Sequence, residues 1–271
     1  MGAAIGCIVV PSAKYREEPP ARSPTGQRER TFPPAIHERG GLLGLVILWD
    51  IDKTLVRPYT GEDLFRSTFQ ELFGPAQPVP EVEKDGKTDL QIVLEYVGAV
   101  AGARQEQAAL AHRFLEKLDE RSLDAFAPGA FGEVPGADGL LALVMDHGLT
   151  NAVFTGNTAT RARAKLVSAG IDPSKRFGNF AHGEGFFQGA RPSRLDGATR
   201  VFEAFPASHF LVVGDSPRDY ALAKFLGCPF WQVGHASLPE QELLVGSCED
   251  FLQDAPARFI DKVMGMADAD S

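Results

Sequence analysis

The first strong pattern along the chain is a short, unbroken apolar run, Gly44-Leu45-Val46-Ile47-Leu48-Trp49. A run without polar alternation suits a strand buried on both faces of a parallel sheet. Phe210-Leu211-Val212-Val213 repeats it, and Asn151-Ala152-Val153-Phe154 and Phe230 to Val233 are shorter strand candidates. Helical segments alternate with these strands. Gly139 to His147 stops at Gly148, Thr158 to Ala169 stops at Gly170, and Pro217 to Leu226 stops at Gly227. Glycine is favoured where a chain leaves a helix, and proline just inside its start. Arg194 to Phe205 and Phe251 to Met264 are further helix candidates. Strands alternating with helices predict an α/β fold built on a doubly wound parallel sheet.

One segment interrupts that alternation. From about Pro58 to Pro135 the apolar residues recur at helical spacing: Leu64, Phe65, Phe69, Leu72 and Phe73, then Leu90, Ile92, Val93 and Tyr96, then Leu110, Phe114 and Leu118. Pro75, Pro78 and Pro80 separate the first group from the second. The segment predicts an inserted α-helical domain over residues 58–135, with the sheet domain formed by residues 43–57 and 136–266. Residues 1–42 are rich in Pro, Arg, Glu and Ser and lack hydrophobic periodicity beyond Val10, which predicts a disordered extension. No internal repeat is present.

The 271-residue chain carries a formal net charge of -9. That argues against a nucleic-acid partner, which calls for a basic stripe. It leaves room for a phosphorylated substrate, since a bound cation supplies positive charge locally. Cys7, Cys228 and Cys248 are too few and too scattered for a disulfide framework or a metal pattern, which predicts a reducing, cytoplasmic setting. No apolar run is long enough to span a membrane, and no basic residue precedes the first apolar stretch as a signal peptide requires.

Polar groups follow three of the strands: Asp50 and Asp52 after the first, Thr155-Gly156-Asn157 after the second, and Gly214-Asp215-Ser216-Pro217-Arg218-Asp219 after the third. Parallel strands put these ends on one edge, which is where open α/β sheets bind ligands. A carboxylate nucleophile divides phosphoester hydrolysis into two easier steps, which suits Asp50. A second carboxyl two residues on can protonate the leaving oxygen and then take a proton from water, which suits Asp52. Taken alone, Asp215 and Asp219 equally suit a helix cap and a first-turn acid. Gly86-Lys87-Thr88-Asp89 likewise suits a turn followed by an N-cap.

The order of these groups gives them a common meaning. Asp50-Ile51-Asp52-Lys53-Thr54-Leu55, Phe154-Thr155-Gly156-Asn157, and Val213-Gly214-Asp215 with Asp219 resemble the first, second and fourth motifs of the haloacid-dehalogenase-like superfamily. The resemblance runs from about Leu43 to Met264 and is strongest to phosphoglycolate-phosphatase-like members, whose helical cap the inserted segment matches. It implies a Mg2+-dependent phosphatase acting on a small phosphorylated metabolite through an aspartyl-phosphate on Asp50. It implies metal ligation by Asp50, the main-chain carbonyl of Asp52, and Asp215, with Asp219 alongside. Thr155, Gly156 and Asn157 would hold the phosphoryl oxygens. The third motif is usually a lysine; Arg191, followed by Pro192, is the nearest match here, with Arg194 and Lys165 as competitors. Family members often have glycine after the second aspartate; here Lys53 stands there, at a position expected to face a turn beyond the chemistry. In related capped members the loop matching Gly86 to Asp89 reaches the substrate, which would make Lys87 and Thr88 substrate contacts.

Two other readings share these residues. A phosphosugar mutase would also keep both aspartates. A catalytically silent binding module would have the fold, but its usual sign, loss of Asp50, Asp52 or Asp215, is absent. Dehalogenases and phosphonate hydrolases of the superfamily generally lack the second aspartate, so Asp52 argues against both.

Overall fold

Strand β1 (Leu45–Trp49) is buried along its whole length because its alternate side chains enter two different cores. Leu45, Ile47 and Trp49 join Val153, Leu211, Val213 and Trp231 on one face of the sheet. Val46 and Leu48 join Ala152, Phe154, Phe210 and Val212 on the other. This is the period of two expected of a strand with layers on both sides. The computed structural model describes residues 44–59, 63–177, 186–206, 208–234 and 244–249. The extension expected over residues 1–42 and the helix expected from Phe251 to Met264 lie outside them.

From β1 the chain passes through β2 (Val56–Pro58) into helices α1 (Leu64–Phe73), α2 (Asp89–Gly98) and α3 (Arg104–Ala125), and returns through β3 (Phe131–Glu133). It continues as α4 (Ala137–Asp146), β4 (Thr150–Thr155), α5 (Ala159–Ser168), α6 (Pro173–Arg176) and β5 (Phe186–Phe187). A 3-10 turn at Arg194–Gly197, α7 (Thr199–Ala204), β6 (His209–Gly214), α8 (Pro217–Leu226), β7 (Phe230–Val233) and β8 (Leu244–Gly246) complete the described chain. Six strands form one sheet in the order β5-β4-β1-β6-β7-β8. Every pairing in it is parallel. The chain adds strands on one side of β1, then crosses back to add the rest on the other. That reversal opens a crevice at the C-terminal ends of β1, β4 and β6. Among the described residues no helix is long and apolar enough to cross a membrane.

The inserted helices have a core of their own. Phe65 and Phe69 of α1, Tyr96 of α2 and Phe114 of α3 pack together, with the Phe69 and Tyr96 ring centroids 5.6 Å apart. The two chain crossings are not helical: β2 and β3 pair antiparallel and make a short ribbon. Helix α5 faces the inserted helices with polar side chains at helical spacing. Thr158 donates to Asp119 at 2.5 Å, and Arg161 donates to Ser122 at 3.1 Å. The Arg161 Nε lies 3.1 Å from Asp89, with the guanidinium 4.8 Å from the Phe65 ring centroid. Arg161 and Asp89 are both buried, so neither can lose its partner without stranding a charge.

The helix expected from Arg194 to Phe205 is divided. Ser193 accepts from the Leu195 N–H at 3.2 Å and starts a tight turn, and Gly197 lies against the Gln188 side chain. A Cβ at Gly197 would sit 2.0 Å from Gln188 Oε1, so the turn packs as it does only with glycine.

Inside the sheet, the Trp49 indole N–H donates to Asn151 Oδ1 at 2.8 Å, and Asn151 Nδ2 donates to the Leu141 carbonyl at 2.8 Å. All of this is buried. Asn151→Ala should therefore lower the unfolding free energy by about 1–3 kcal/mol, the cost of leaving buried polar groups unpaired. Urea denaturation measures it, and an unchanged midpoint would contradict the assignment.

Candidate active site

Asp50 stands one residue past β1, where its backbone N–H still donates to the Val213 carbonyl of β6 at 2.9 Å. The sheet thus sets the position of the carboxyl, which is almost fully buried. Arg194 opens the 3-10 turn and bridges two acids: its Nη2 lies 2.6 Å from Asp50 Oδ1 and 2.9 Å from Asp219 Oδ1. The other oxygen of Asp219 accepts from Ser216 N–H at 3.0 Å and Ser216 Oγ at 2.6 Å, within the capping box of α8. Gly214 makes room for this; a Cβ there would lie 2.4 Å from the Asp219 carboxyl carbon. Asp215 precedes that cap. Asp50, Asp215 and Asp219 each offer an oxygen within 4.8 Å of the others.

Asp52 is held separately. Lys165 of α5 donates to its two oxygens at 2.6 and 2.8 Å, and Asn157 Nδ2 donates to Oδ2 at 2.7 Å. Asn157 ties the group together, accepting from Lys165 at 2.7 Å and donating to Thr155 Oγ1 at 2.8 Å. Each member of the aspartate pair therefore has its own cation.

Their environments push the carboxyls apart. Burial drives Asp50 well above the usual carboxylate range; Arg194 opposes this, while Asp219, Asp52 and Asp215 add to it. Burial, then Asp219, pushes Asp215 up to about 6, with Lys53 acting against them. Burial also opposes the charge on Asp52, but Lys165 and Asn157 outweigh it and hold that carboxyl below its ordinary value. Where three carboxylates crowd around one arginine, charge remains to be neutralised. The donors are all hard oxygens, so the Asp50, Asp215 and Asp219 set fits a hard divalent cation.

Most residues singled out from sequence come together here: Asp50, Asp52, Thr155, Gly156, Asn157, Asp215 and Asp219. Arg191 does not join them. The turn begun at Ser193 aims Arg194 at Asp50, while Arg191 stays in the preceding loop, where its carbonyl accepts from Thr88 Oγ1 at 2.7 Å. The basic group on Asp50 is Arg194, and Lys165 takes Asp52. Lys87 is also drawn elsewhere: its ammonium lies 2.6 Å from Glu95 of its own lobe. Its carbonyl approaches Gly156 so closely that a Cβ there would stand 2.5 Å away. Thr88 serves as N-cap of α2, in a capping box with Gln91.

Lys53, expected to face a turn beyond the chemistry, lies at the seam between the lobes. Its φ is 61°, a left-handed conformation that explains why glycine suits this position and that costs a residue with a Cβ about 1–2 kcal/mol. Its ammonium donates to Asp85 at 2.9 and 3.0 Å. Sequence patterning did not single out Arg161, and it marked Asp89 only as the end of the Gly86 to Asp89 turn; the polar spacing of Thr158, Arg161 and Lys165 along one face of α5 was the available signal.

Comparison with known proteins agrees with this architecture. No protein-family model matches the chain, and no curated protein matches it. Solved structures do. A candidate haloacid-dehalogenase-like hydrolase from Bacteroides fragilis superposes with a TM-score of 0.54 at 18% identity, over 76% of this chain and 98% of that one. A predicted phosphoglycolate phosphatase from Haemophilus somnus gives 0.51 at 16% identity, over 79% of this chain and 99% of that one. A hydrolase from Pseudomonas syringae gives 0.50 at 16% identity, over 80% and 98%. The chain has the haloacid-dehalogenase-like fold, a Rossmann-like core with a helical cap.

The acid cluster makes a measurable prediction. A divalent cation at a hundredfold excess over its Kd should stabilise the protein by about 2.7 kcal/mol, or roughly 5–10 °C in Tm. Asp215→Asn should raise the Tm of the metal-free protein, by relieving repulsion, and should abolish the cation-dependent rise. Calorimetry checks both, and an undiminished rise in the variant would contradict the cluster as the binding site.

Proposed function

We propose that this chain is a magnesium-dependent phosphatase that hydrolyses a small phosphorylated metabolite through an aspartyl-phosphate on Asp50. The observation that carries the reading is the pair of carboxyls two residues apart at the end of β1, each with its own cation, beside two further acids. Two carboxyls with separate partners can take distinct roles in one reaction, one bonding to phosphorus and the other moving a proton.

In the first step a carboxylate oxygen of Asp50 attacks phosphorus while the bond to the leaving oxygen breaks. Protonated Asp52 gives its proton to that oxygen. In the second step water attacks phosphorus, Asp52 takes the water proton, and the bond from phosphorus to Asp50 breaks to release phosphate. Lys165 favours the ionised form of Asp52, which the second step requires. Arg194 is placed to meet the phosphoryl oxygens next to the nucleophile. Thr155 Oγ1 accepts two hydrogen bonds from Asn157, so its own O–H is left to donate to a phosphoryl oxygen. Magnesium held by Asp50, Asp215 and the Asp52 carbonyl, with Asp219 alongside, would supply positive charge against the transferring phosphoryl group and favour the ionised Asp50 that attacks.

The test is p-nitrophenyl phosphate hydrolysis with and without magnesium. Wild type should turn over with magnesium and stop in excess chelator. Asp50→Asn should lower kcat roughly a thousandfold or more with the fold kept. Near-wild-type turnover by pure variant, or full activity in chelator, would overturn the reading. Asp52→Asn should slow alkyl phosphates more than aryl phosphates, whose leaving groups need little protonation. Equal losses on both would remove Asp52 from the acid role.

A further inference from the structure

Two cations on the core side of the seam occupy positions that ordinary backbone and helix energetics disfavour. Lys53 is the one non-glycine residue with positive φ among the described residues. Arg218 lies in the first turn of α8, where the helix dipole opposes a positive side chain. Both flank the candidate chemistry: Lys53 follows Asp52, and Arg218 stands between Asp215 and Asp219. Both reach one turn of the cap. Lys53 donates to Asp85, and Arg218 Nη1 donates to the next carbonyl, that of Gly86, at 3.1 Å and to Gln91 at 3.3 Å. Gly86 itself has φ 67°, and a Cβ there would lie 2.7 Å from Arg218 Cδ.

Holding the cap closed accounts poorly for these costs. The Lys53–Asp85 side chains are 57% and 74% exposed, and ion pairs so exposed contribute little. The buried Arg161–Asp89 contact already ties the lobes. Among the described residues, Arg218 meets the cap through Nη1, which leaves Nη2 and Nε of a fork suited to oxyanions. The other lysines of the turn are engaged inside the cap, Lys84 with Asp63 and Lys87 with Glu95. Locally broken rules without a structural return mark functional positions.

We propose that Lys53 and Arg218 form a subsite for a second anionic group, a carboxylate or a second phosphate, on the leaving-group side of the substrate. The proposal rests on the phosphatase reading above and deepens it by naming the substrate class. The Asp85 carboxylate holds the place of that group on Lys53, and a substrate anion displaces it to share both cations. Phosphomonoesters with a second negative charge are then preferred over matched esters without one.

Two matched pairs test this. Glycerol 3-phosphate and 3-phosphoglycerate differ by a carboxylate; fructose 6-phosphate and fructose 1,6-bisphosphate differ by a phosphate. The full chain should show a higher kcat/KM for the more anionic member of at least one pair, and the pair that responds identifies the group. Lys53→Gln and Arg218→Gln should each lower that ratio roughly tenfold or more, the size of one charge-assisted hydrogen bond. Lys53→Arg and Arg218→Lys should recover part of it. Lys53→Gly is the decisive variant, because it relieves the backbone while removing the charge. It should raise Tm yet lose the preference. The same ratios should appear in calorimetric binding of these esters to Asp50→Asn protein with magnesium. No preference in either pair, equal losses on both members, or no binding of any ester would overturn the subsite. If binding shows the preference but wild type never hydrolyses p-nitrophenyl phosphate, the phosphatase reading fails and the subsite stands.

Discussion

The arrangement depends on how much negative charge the sheet edge can hold. Parallel pairing of β4, β1 and β6 brings Asp50, Asp215 and Asp219 into one small volume and buries Asp50 and Asp219. Burial and like charge both oppose ionisation there. Arg194 relieves part of the strain by bridging Asp50 and Asp219. The capping box fixes the far oxygen of Asp219, and Gly214 leaves the space that Asp219 needs. A site built this way leaves negative charge that a further cation would neutralise.

The cap completes the site from the other side. Its turn lies directly on the loop after β4: the Asp89 N–H donates to the Gly156 carbonyl at 2.9 Å, and the Lys87 carbonyl closes on Gly156. Gly156 is thus required by the approach of the cap. Arg161 extends the contact into the aromatic core of the cap. Helix α5 in this way joins Asn157 and Lys165, which hold Asp52, to the residues that hold the cap. The holding of Asp52 and the seating of the cap share one element.

Much of this was legible in the chain. β1, β6, β7 and α8 were readable because continuous apolar runs and Pro/Gly boundaries have few other meanings. The carboxylates at strand ends were readable because parallel topology makes sequence-distant ends neighbours. β5 has only two residues and β8 only three, too few for any period to show. β2 and β3 take their structure from pairing with each other across the inserted segment, which local pattern does not carry. Arg191 and Arg194 lie in the same short loop, and only the turn started by Ser193 decides which one faces inward. The pairing of Lys87 with Glu95, eight residues on, is set by the path of the turn into α2, which local pattern does not carry. The charge of Lys53 was not legible because glycine at this position suggests a backbone need alone, whereas a lysine that meets the same need brings a charge to the seam.

The proposed aspartyl-phosphate would place phosphorus covalently on Asp50. The most direct measurement is to quench the enzyme during turnover, reduce it with borohydride, and map the modified residue by mass spectrometry. Reduction converts an aspartyl-phosphate to homoserine, so the account predicts homoserine at position 50, dependent on both substrate and magnesium. Modification at another residue, or turnover with none at position 50, would contradict it.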